Sequence, residues 1–453
     1  MKRSYDVIVI GAGPAGLTAA KTAGENGLRV ALLERKTSIE KIERACMEAL
    51  LAPYEYCLGE YMIFNPDAHR FIFLKNGFSI PYNGPYRFLY TFVHYSMNGT
   101  RVETRRFKPN KEKRDPALAC HVAVDKETLI GELLKEAQKY QVDVYPGITI
   151  TKIEKTNDHV TISADNDKTF KGSFAIAADG VNSRVAQMLG FNKGRRFLAT
   201  VADVTKRVKG IDLPDEDDHV HIMRGTDSNM VFCICRRAVE NEFNLDLVSV
   251  YPYAGNWDEK ADQIMKESIY SSWFKHATVD ETKTKCCVLN IFEPIFKPFK
   301  DNVLLAGDTI WYSPAIGIPG AITTGSKAAN AVTLAIHDGK LNEEGIAGYL
   351  EWWRRVTDEF DWTIPWRRAF LETLTEEEIN YFLGLFPKTI PFMIQAFDLR
   401  MYSTVDEMDR AMAEIMPVLR EKRPELFTKI DRFLSTPVEE LYSATAQAGF
   451  PNR

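Results

Sequence analysis

Between Tyr5 and Glu34 the sequence spells a strand, a glycine turn, a helix, a second strand and an acid, and few folds accommodate that succession. Tyr5–Ile10 is a β-branched apolar run suited to a buried parallel strand. It enters Gly11-Ala12-Gly13-Pro14-Ala15-Gly16 and then the helix-forming stretch Leu17–Ala23; a second apolar run, Leu28–Leu33, ends at Glu34. In such a βαβ unit Gly11 permits the tight turn, Gly13 lets backbone approach a pyrophosphate, and Gly16 lets helix and strand pack closely. The helix N terminus offers N–H groups and a positive dipole end to phosphates, and Glu34 is placed to accept from a ribose 2′-OH. The motif predicts a dinucleotide-binding core and does not by itself separate NAD from FAD.

Two later motifs bear on that choice. Ser173–Ala178 is an apolar strand running into Asp179-Gly180-Val181-Asn182-Ser183-Arg184. Asn302–Ala306 is another, ending in Gly307-Asp308, with Pro314, Gly317, Pro319 and Gly320 ahead of a small-residue helix, Ala321–Ala335. A carboxylate such as Asp308 at a strand's C-terminal end suits a ribityl or ribose hydroxyl, and the following helix would aim N–H groups at the electron-rich edge of a flavin. An ordinary strand–turn–helix with an Asp cap is the alternative. The three motifs in this order resemble the FAD-dependent para-hydroxybenzoate-hydroxylase-like superfamily, over about residues 4–340.

The resemblance is greatest to the geranylgeranyl-reductase branch. Arg44-Ala45-Cys46-Met47-Glu48-Ala49 stands where those reductases carry a Pro-Cys-Gly-Glu-Gly-type segment, with Met47 and Ala49 in place of the glycines, and Ala178–Ser183 matches their DG segment. Aromatic hydroxylases of the superfamily carry an Arg where this chain has Ala186, which speaks against the hydroxylase route to NADPH. The implied cofactor is FAD, held by Gly11, Gly13, Pro14, Ala15, Gly16, Glu34, Arg35, Arg44, Ala45, Asp179, Gly180, Gly307, Asp308, Gly317, Ile318 and Gly320. The implied activity is reduction of a carbon–carbon double bond in a hydrophobic, isoprenoid-like or aromatic substrate. Cys46 is the implied catalytic acid or proton relay, the alternative being a buried apolar thiol. An FAD-dependent aromatic hydroxylase using NAD(P)H and O₂, and a flavin-binding electron carrier, are the rival readings. With one dinucleotide fingerprint in the chain, electrons are expected from ferredoxin or from a visiting NAD(P)H.

Aromatic residues crowd the stretch from Tyr54 to Phe107. Phe88, Tyr90 and Phe92, spaced by two, are expected on one face of a strand, as a substrate wall or as sheet packing. Strands at about 198–205, 218–224, 229–236, 246–253 and 284–292 predict a mostly antiparallel substrate sheet. The charge run Lys108–Arg114 reads as a solvated loop or a contact for an anionic headgroup or donor. Cys233, Cys235, Cys286 and Cys287 lack CxxC spacing and read as core thiols, and His219 with His221 lacks a third metal ligand. From Glu343 onward the pattern is helical, with a capping signal at Thr373-x-x-Glu376 and tryptophans at 352, 353, 362 and 366. Phe360–Pro365 resembles the WxWxIP segment of flavin-dependent halogenases but lacks its first Trp and follows the GD motif, so it reads as coincidence.

The fold class is therefore α/β: a Rossmann-like FAD-binding domain, an inserted antiparallel sheet and a helical C-terminal region. The expected divisions are 1–60, 119–190 and 300–342 for the FAD-binding domain, 61–118 and 191–299 for the substrate lobe, and 343–453 for the helical region. Composition trims the partners: 57 Lys+Arg against 62 Asp+Glu, a formal charge of −5, argues against a nucleic-acid binder. No stretch of 18 apolar residues occurs, glycines interrupt the one segment that could pass for a signal peptide, and seven scattered cysteines form no disulfide framework. A cytoplasmic protein with room for peripheral membrane contact is the expectation; oligomeric state is left open.

Overall fold

The computed structural model describes residues 4–51, 56–105, 115–156, 159–215, 219–224, 230–250, 255–312, 317–359, 374–386, 389–391, 405–437 and 440. The expected α/β core is present. Ser4–Ile10 lies at the centre of a parallel array, with Val30–Glu34 on one side and Thr169–Ala177 on the other. Asp143–Pro146 extends the array beyond the second strand. The far edge of Thr169–Ala177 is shared: its first half pairs antiparallel with His159–Ala164 and its second half parallel with Val303–Leu305. The β-branched runs explain the centre, since strands covered on both faces need no alternation: Val7, Ile8 and Val9 are wholly buried, as are Ala31 and Leu32.

A second sheet, also of eight strands among the described residues but with longer ones, forms the large sheet of the molecule. Its long strands are Phe197–Lys209, Glu242–Val250, Met230–Arg236, His219–Arg224 and Thr91–Tyr95, with Thr278–Phe292 at one edge. Period-two alternation gives this sheet two unlike faces. Val204, Leu245, Leu247, Phe232, Ile234 and Met223 point outward into a separate core, covered by Ala261, Ile264, Tyr270 and Phe274. Phe92, Val220, Cys233 and Cys235 point inward and belong to the same core as the dinucleotide-type sheet.

The aromatic stretch divides between structures. Glu60–Asn65, Arg70–Phe73 and Phe78–Pro81 make a small meander in which Phe64 packs on Phe71 at 4.5 Å between ring centroids and Phe73 stacks on Phe78 at 4.5 Å. Phe88, Tyr90 and Phe92 do not share one strand face, contrary to the spacing. Phe88 lies in Tyr86–Leu89, paired with His121–Val124 in a three-stranded sheet, whereas Phe92 lies in Thr91–Tyr95 of the large sheet. The chain changes sheets at Tyr90, so period two is broken there.

In the C-terminal region, Trp353 is buried and its indole N–H donates to the Ile295 carbonyl, while the Lys327 ammonium lies over the Trp352 ring. Helix Glu376–Gly384 is capped by Thr375 and Glu378, two residues beyond the expected box. The Lys108–Arg114 run, Tyr54, Phe107, Pro314, the Phe360–Pro365 segment and Trp366 lie outside the described residues. Among the described residues no helix is long and apolar enough to cross a membrane.

Candidate active site

Three backbone segments close on one another, and small residues are the reason they can. A Cβ on Gly11 would sit 2.4 Å from the Ala178 carbonyl oxygen, and one on Gly16 would sit 1.8 Å from the Gly11 oxygen, distances no side chain survives. Gly11 also holds φ +97°, in the region glycine favours. Gly307, at φ +65°, packs its α-carbon on Ala15, and Gly325 seats the helix Gly317–His337 against the Ala15 backbone. The glycine turn, the DG segment and the GD segment thus meet around Ala15, Ala178 and Ala321.

Helix Pro14–Glu25 starts at this junction with Pro14 in its first turn and Gly13 as an N-cap that supplies no side-chain bond. A Cβ on Gly13 would meet nothing within 4 Å, so open space lies directly against the helix N terminus. That is the cradle a diphosphate needs. Glu34 stands beside it, accepting from the Ala12 and Lys36 N–H groups at 2.7 and 2.8 Å. Arg35 is exposed, and burial lowers the neighbouring Lys36 ammonium.

The DG and GD segments are tied together by side chains. Asp179 accepts from Ser183 Oγ at 2.5 Å and Val185 N–H at 3.1 Å at the start of the short helix Arg184–Met188, which Ser183 caps, and burial raises its carboxyl. Thr309 accepts from Gly180 N–H at 3.0 Å. Arg44, exposed, brings a guanidinium nitrogen within 3.6 Å of where a Gly180 Cβ would stand. Beyond the GD segment, Gly317 is half-buried, and Ile318 and Gly320 are buried in the first turn of their helix.

Cys46, half-buried, lies between these segments and the inner face of the large sheet. Its N–H donates to Thr205 Oγ1 at 3.0 Å, and its Sγ accepts from Glu48 N–H at 3.4 Å and from Lys126 Nζ at 3.3 Å. Lys126 is the first residue of helix Lys126–Lys139, where a cation opposes the helix dipole. Burial works against its ammonium, but the Cys46 sulfur, Asp308 and Glu48 outweigh burial, and its pKa stands above the ordinary lysine value. Burial pushes Asp308 up to about 6, with Lys126 and Arg44 pulling it back. Cys46, Lys126 and Asp308 therefore form one electrostatic unit. Tyr312 joins it: burial raises its phenol strongly, with Asp308, Asp203, Cys287 and Cys46 adding to the shift.

Glu48 fixes the Cys46 segment in place. It is buried at φ +57° and takes Arg237 at 2.5 Å and Arg207 at 3.2 Å, both from the large sheet. Asn244 adds a donor to the Met47 carbonyl at 2.8 Å. Of the expected aromatic wall only Phe92 lies on the inner sheet face, beside His121 at 4.6 Å between ring centroids; Phe88 packs with Phe64 and Tyr86, and Tyr90 is buried beneath. Among the described residues no group of His, Cys, Asp and Glu is arranged to hold a metal, and Cys46, Cys120, Cys233, Cys235, Cys286 and Cys287 are free thiols.

Lys126, Tyr312, Asp203 and Asp246 are absent from the sequence-based set. Two kinds of signal were there: a lysine opening a helix behind the Asp125 N-cap, and aspartates at inward positions of strand patterns, where Asp is disfavoured.

Residues 5–217 match the family model described as pyridine nucleotide-disulphide oxidoreductase. A digeranylgeranylglycerophospholipid reductase of Methanococcus vannielii is 25% identical over 403 residues, covering 86% of this chain and 92% of that protein. The crystal structure of a geranylgeranyl bacteriochlorophyll reductase-like protein from Thermoplasma acidophilum superposes with a TM-score of 0.67 at 17% identity, covering 96% of this chain and all of that one. The halogenase PltM, in complex with phloroglucinol and FAD, has the same fold at a TM-score of 0.59 and 14% identity, covering 98% of this chain and 95% of that one.

Proposed function

We propose that this chain, which is similar along most of its length to digeranylgeranylglycerophospholipid reductases, is an FAD-dependent reductase of the geranylgeranyl reductase-like kind and reduces a carbon–carbon double bond of a hydrophobic, isoprenoid-like substrate. FAD is its cofactor, and when bound and reduced it supplies the hydride. The cradle at Gly11, Gly13, Pro14, Ala15 and Gly16 suits the diphosphate, with Glu34 and Arg35 toward the ribose. Asp179, Gly180, Gly307 and Asp308, with Gly317, Ile318 and Gly320, suit the ribityl and ring end, and Arg44 and Ala45 border it.

The observation that carries the reading is the Lys126–Cys46 contact at 3.3 Å, next to Asp308. An ammonium donating to a sulfur keeps a polar, proton-bearing pair at this corner of the cleft, and a reductase needs one proton for each hydride. Glu48 and its two arginines fix the segment, and the Cys46 N–H bond to Thr205 anchors the residue that carries that sulfur. Of the expected aromatic wall, Phe92 on the inner sheet face would contribute apolar surface to the substrate. Electrons come from a reduced nicotinamide or a ferredoxin-type iron–sulfur protein.

The test is anaerobic. The holoenzyme is reduced and mixed with unsaturated isoprenoids and aromatic enoates, and flavin reoxidation is followed by absorbance. An isoprenoid alkene is expected to reoxidise it, and Cys46→Ala to slow that step without releasing FAD. Reoxidation by O₂ with a phenol and by no alkene would reassign the protein to the aromatic hydroxylases.

A further inference from the structure

The inner face of the large sheet holds a second acidic device. Directly opposed residues in a ladder share a face, and so do residues two apart on one strand. Asp203 opposes Cys287, Thr205 opposes Asp246, and Asp246 opposes Cys233. Asp203 and Asp246 are thus diagonal neighbours on the face that receives Cys46. Thr205 joins the two sites, accepting from Cys46 N–H and donating to Asp246.

Asp246 has no exposed surface, and Asp203 is half-buried in front of it. One oxygen of each, Asp203 Oδ1 and Asp246 Oδ2, is buried without a partner among the described residues. Burial disfavours the charged form of both carboxyls, and a charge on Asp203 adds to the cost of ionising Asp246. The ionisable groups coupled to the pair are Cys233 and Cys235 from the neighbouring strand, Cys287 from the edge strand, Tyr312 from the GD segment and Glu48 from the Cys46 segment. All of these are acids; the cations on the same face, Lys285 opposite Thr205 and Arg207 opposite Asn244, are paired with Glu127 and Glu48. Burial pushes Asp203 up to about 7, and burial followed by Asp203 raises Asp246 further.

We propose that Asp203, half-buried on the inner sheet face with one oxygen unpartnered among the described residues, is the acid that protonates the substrate carbon from the sheet side of the cleft. The inference rests on the reductase reading and makes Asp203, rather than Cys46, the direct proton donor to carbon. In the step, the π pair of the alkene forms a C–H bond with the Asp203 proton as the O–H bond breaks. The other carbon receives the hydride that the reduced cofactor supplies, the cofactor losing two electrons. Asp203 is left as carboxylate and recovers its proton from solvent, and Cys46 with Lys126 orients the opposite wall. An alkene without a conjugated acceptor needs such a step, because protonation must lead hydride transfer.

Two measurements on the FAD-loaded protein decide it. In the first, alkene-dependent reoxidation is followed across neutrality. The wild-type rate is expected to fall as pH rises through about 7, where Asp203 gives up its proton. Asp203→Asn is expected to lose about 10²-fold or more with that pH limb abolished, and Asp203→Glu to recover part of the rate. Asp246→Asn is expected to leave the limb near 7, since Asp246 is already uncharged there. In the second, a carboxylic-acid C=O band at neutral pH is sought by infrared difference between wild type and Asp203→Asn. A wild-type rate and pH profile in Asp203→Asn, or no such band, would overturn the proposal. If no alkene reoxidises the wild type, the reductase reading fails and the acid role falls with it, while the band still reports whether Asp203 is protonated.

Discussion

The two faces of the large sheet are built from the same strands and obey opposite rules. Outward, Phe232, Ile234, Leu245 and Leu247 alternate as a half-buried sheet should, and the helical segment around Ala261 to Phe274 covers them. Inward, the residues between them are Cys233, Cys235, Asn244, Asp246, Asp203 and Thr205, buried or half-buried and largely polar. A sheet selected only to fold would bury aliphatic side chains there, because unpaired carboxyl oxygens cost more than they return. The outer face holds the sheet together; the inner face accepts instability where chemistry is expected. That separation makes forecasts that differ face by face.

The largest effect is expected inside. Lys126→Met removes the ammonium that faces Cys46 and Asp308, and alkene-dependent reoxidation of the reduced flavin should drop by about 10²-fold, read by stopped-flow absorbance. Glu48→Ala should come next. It leaves Arg207 and Arg237 with a buried partner missing and frees the Cys46 segment, and about 3–5 kcal/mol of stability should go in chemical denaturation, with turnover lost alongside. On the outer face, Phe232→Ala should take about 3–5 kcal/mol by opening a cavity, with the reoxidation rate per bound flavin unchanged. If Phe232→Ala slowed reoxidation as much as Lys126→Met, the two faces would not be functionally separate.

Legibility in the sequence follows the same division. The dinucleotide-type core could be read because its signals are local: Gly11, Gly16 and Gly307 answer close approaches that only glycine permits, and Glu34 ends a contiguous strand. The strands of the large sheet were legible within a few residues, since alternation is also local. What one residue touches across the sheet was not. Thr205 meets Cys46 and Glu48 meets Arg237 at sequence separations of 159 and 189, which no spacing rule reaches. Phe88 to Phe92 misled for a local reason, because the two-residue period carries no mark where a chain leaves one sheet for another at Tyr90.

The smallest forecast effect is the one that best distinguishes the faces, because its sign is unusual. Asp246 has a folded-state pKa raised above its unfolded value, first by burial and then by Asp203. A group shifted that way contributes its stability when protonated. The contribution is complete below the ordinary carboxylate pKa and is lost as pH climbs toward the folded value. Asp246→Asn keeps the shape and cannot ionise, so it should melt a few degrees above wild type on the alkaline side of neutrality, with the gain shrinking to nothing in acid. Thermal melts of the two proteins across that range check it. An Asp246→Asn protein less stable than wild type at alkaline pH would mean that the inner carboxylates are held by bonds the fold needs, and the contrast between the faces would narrow to one of polarity alone.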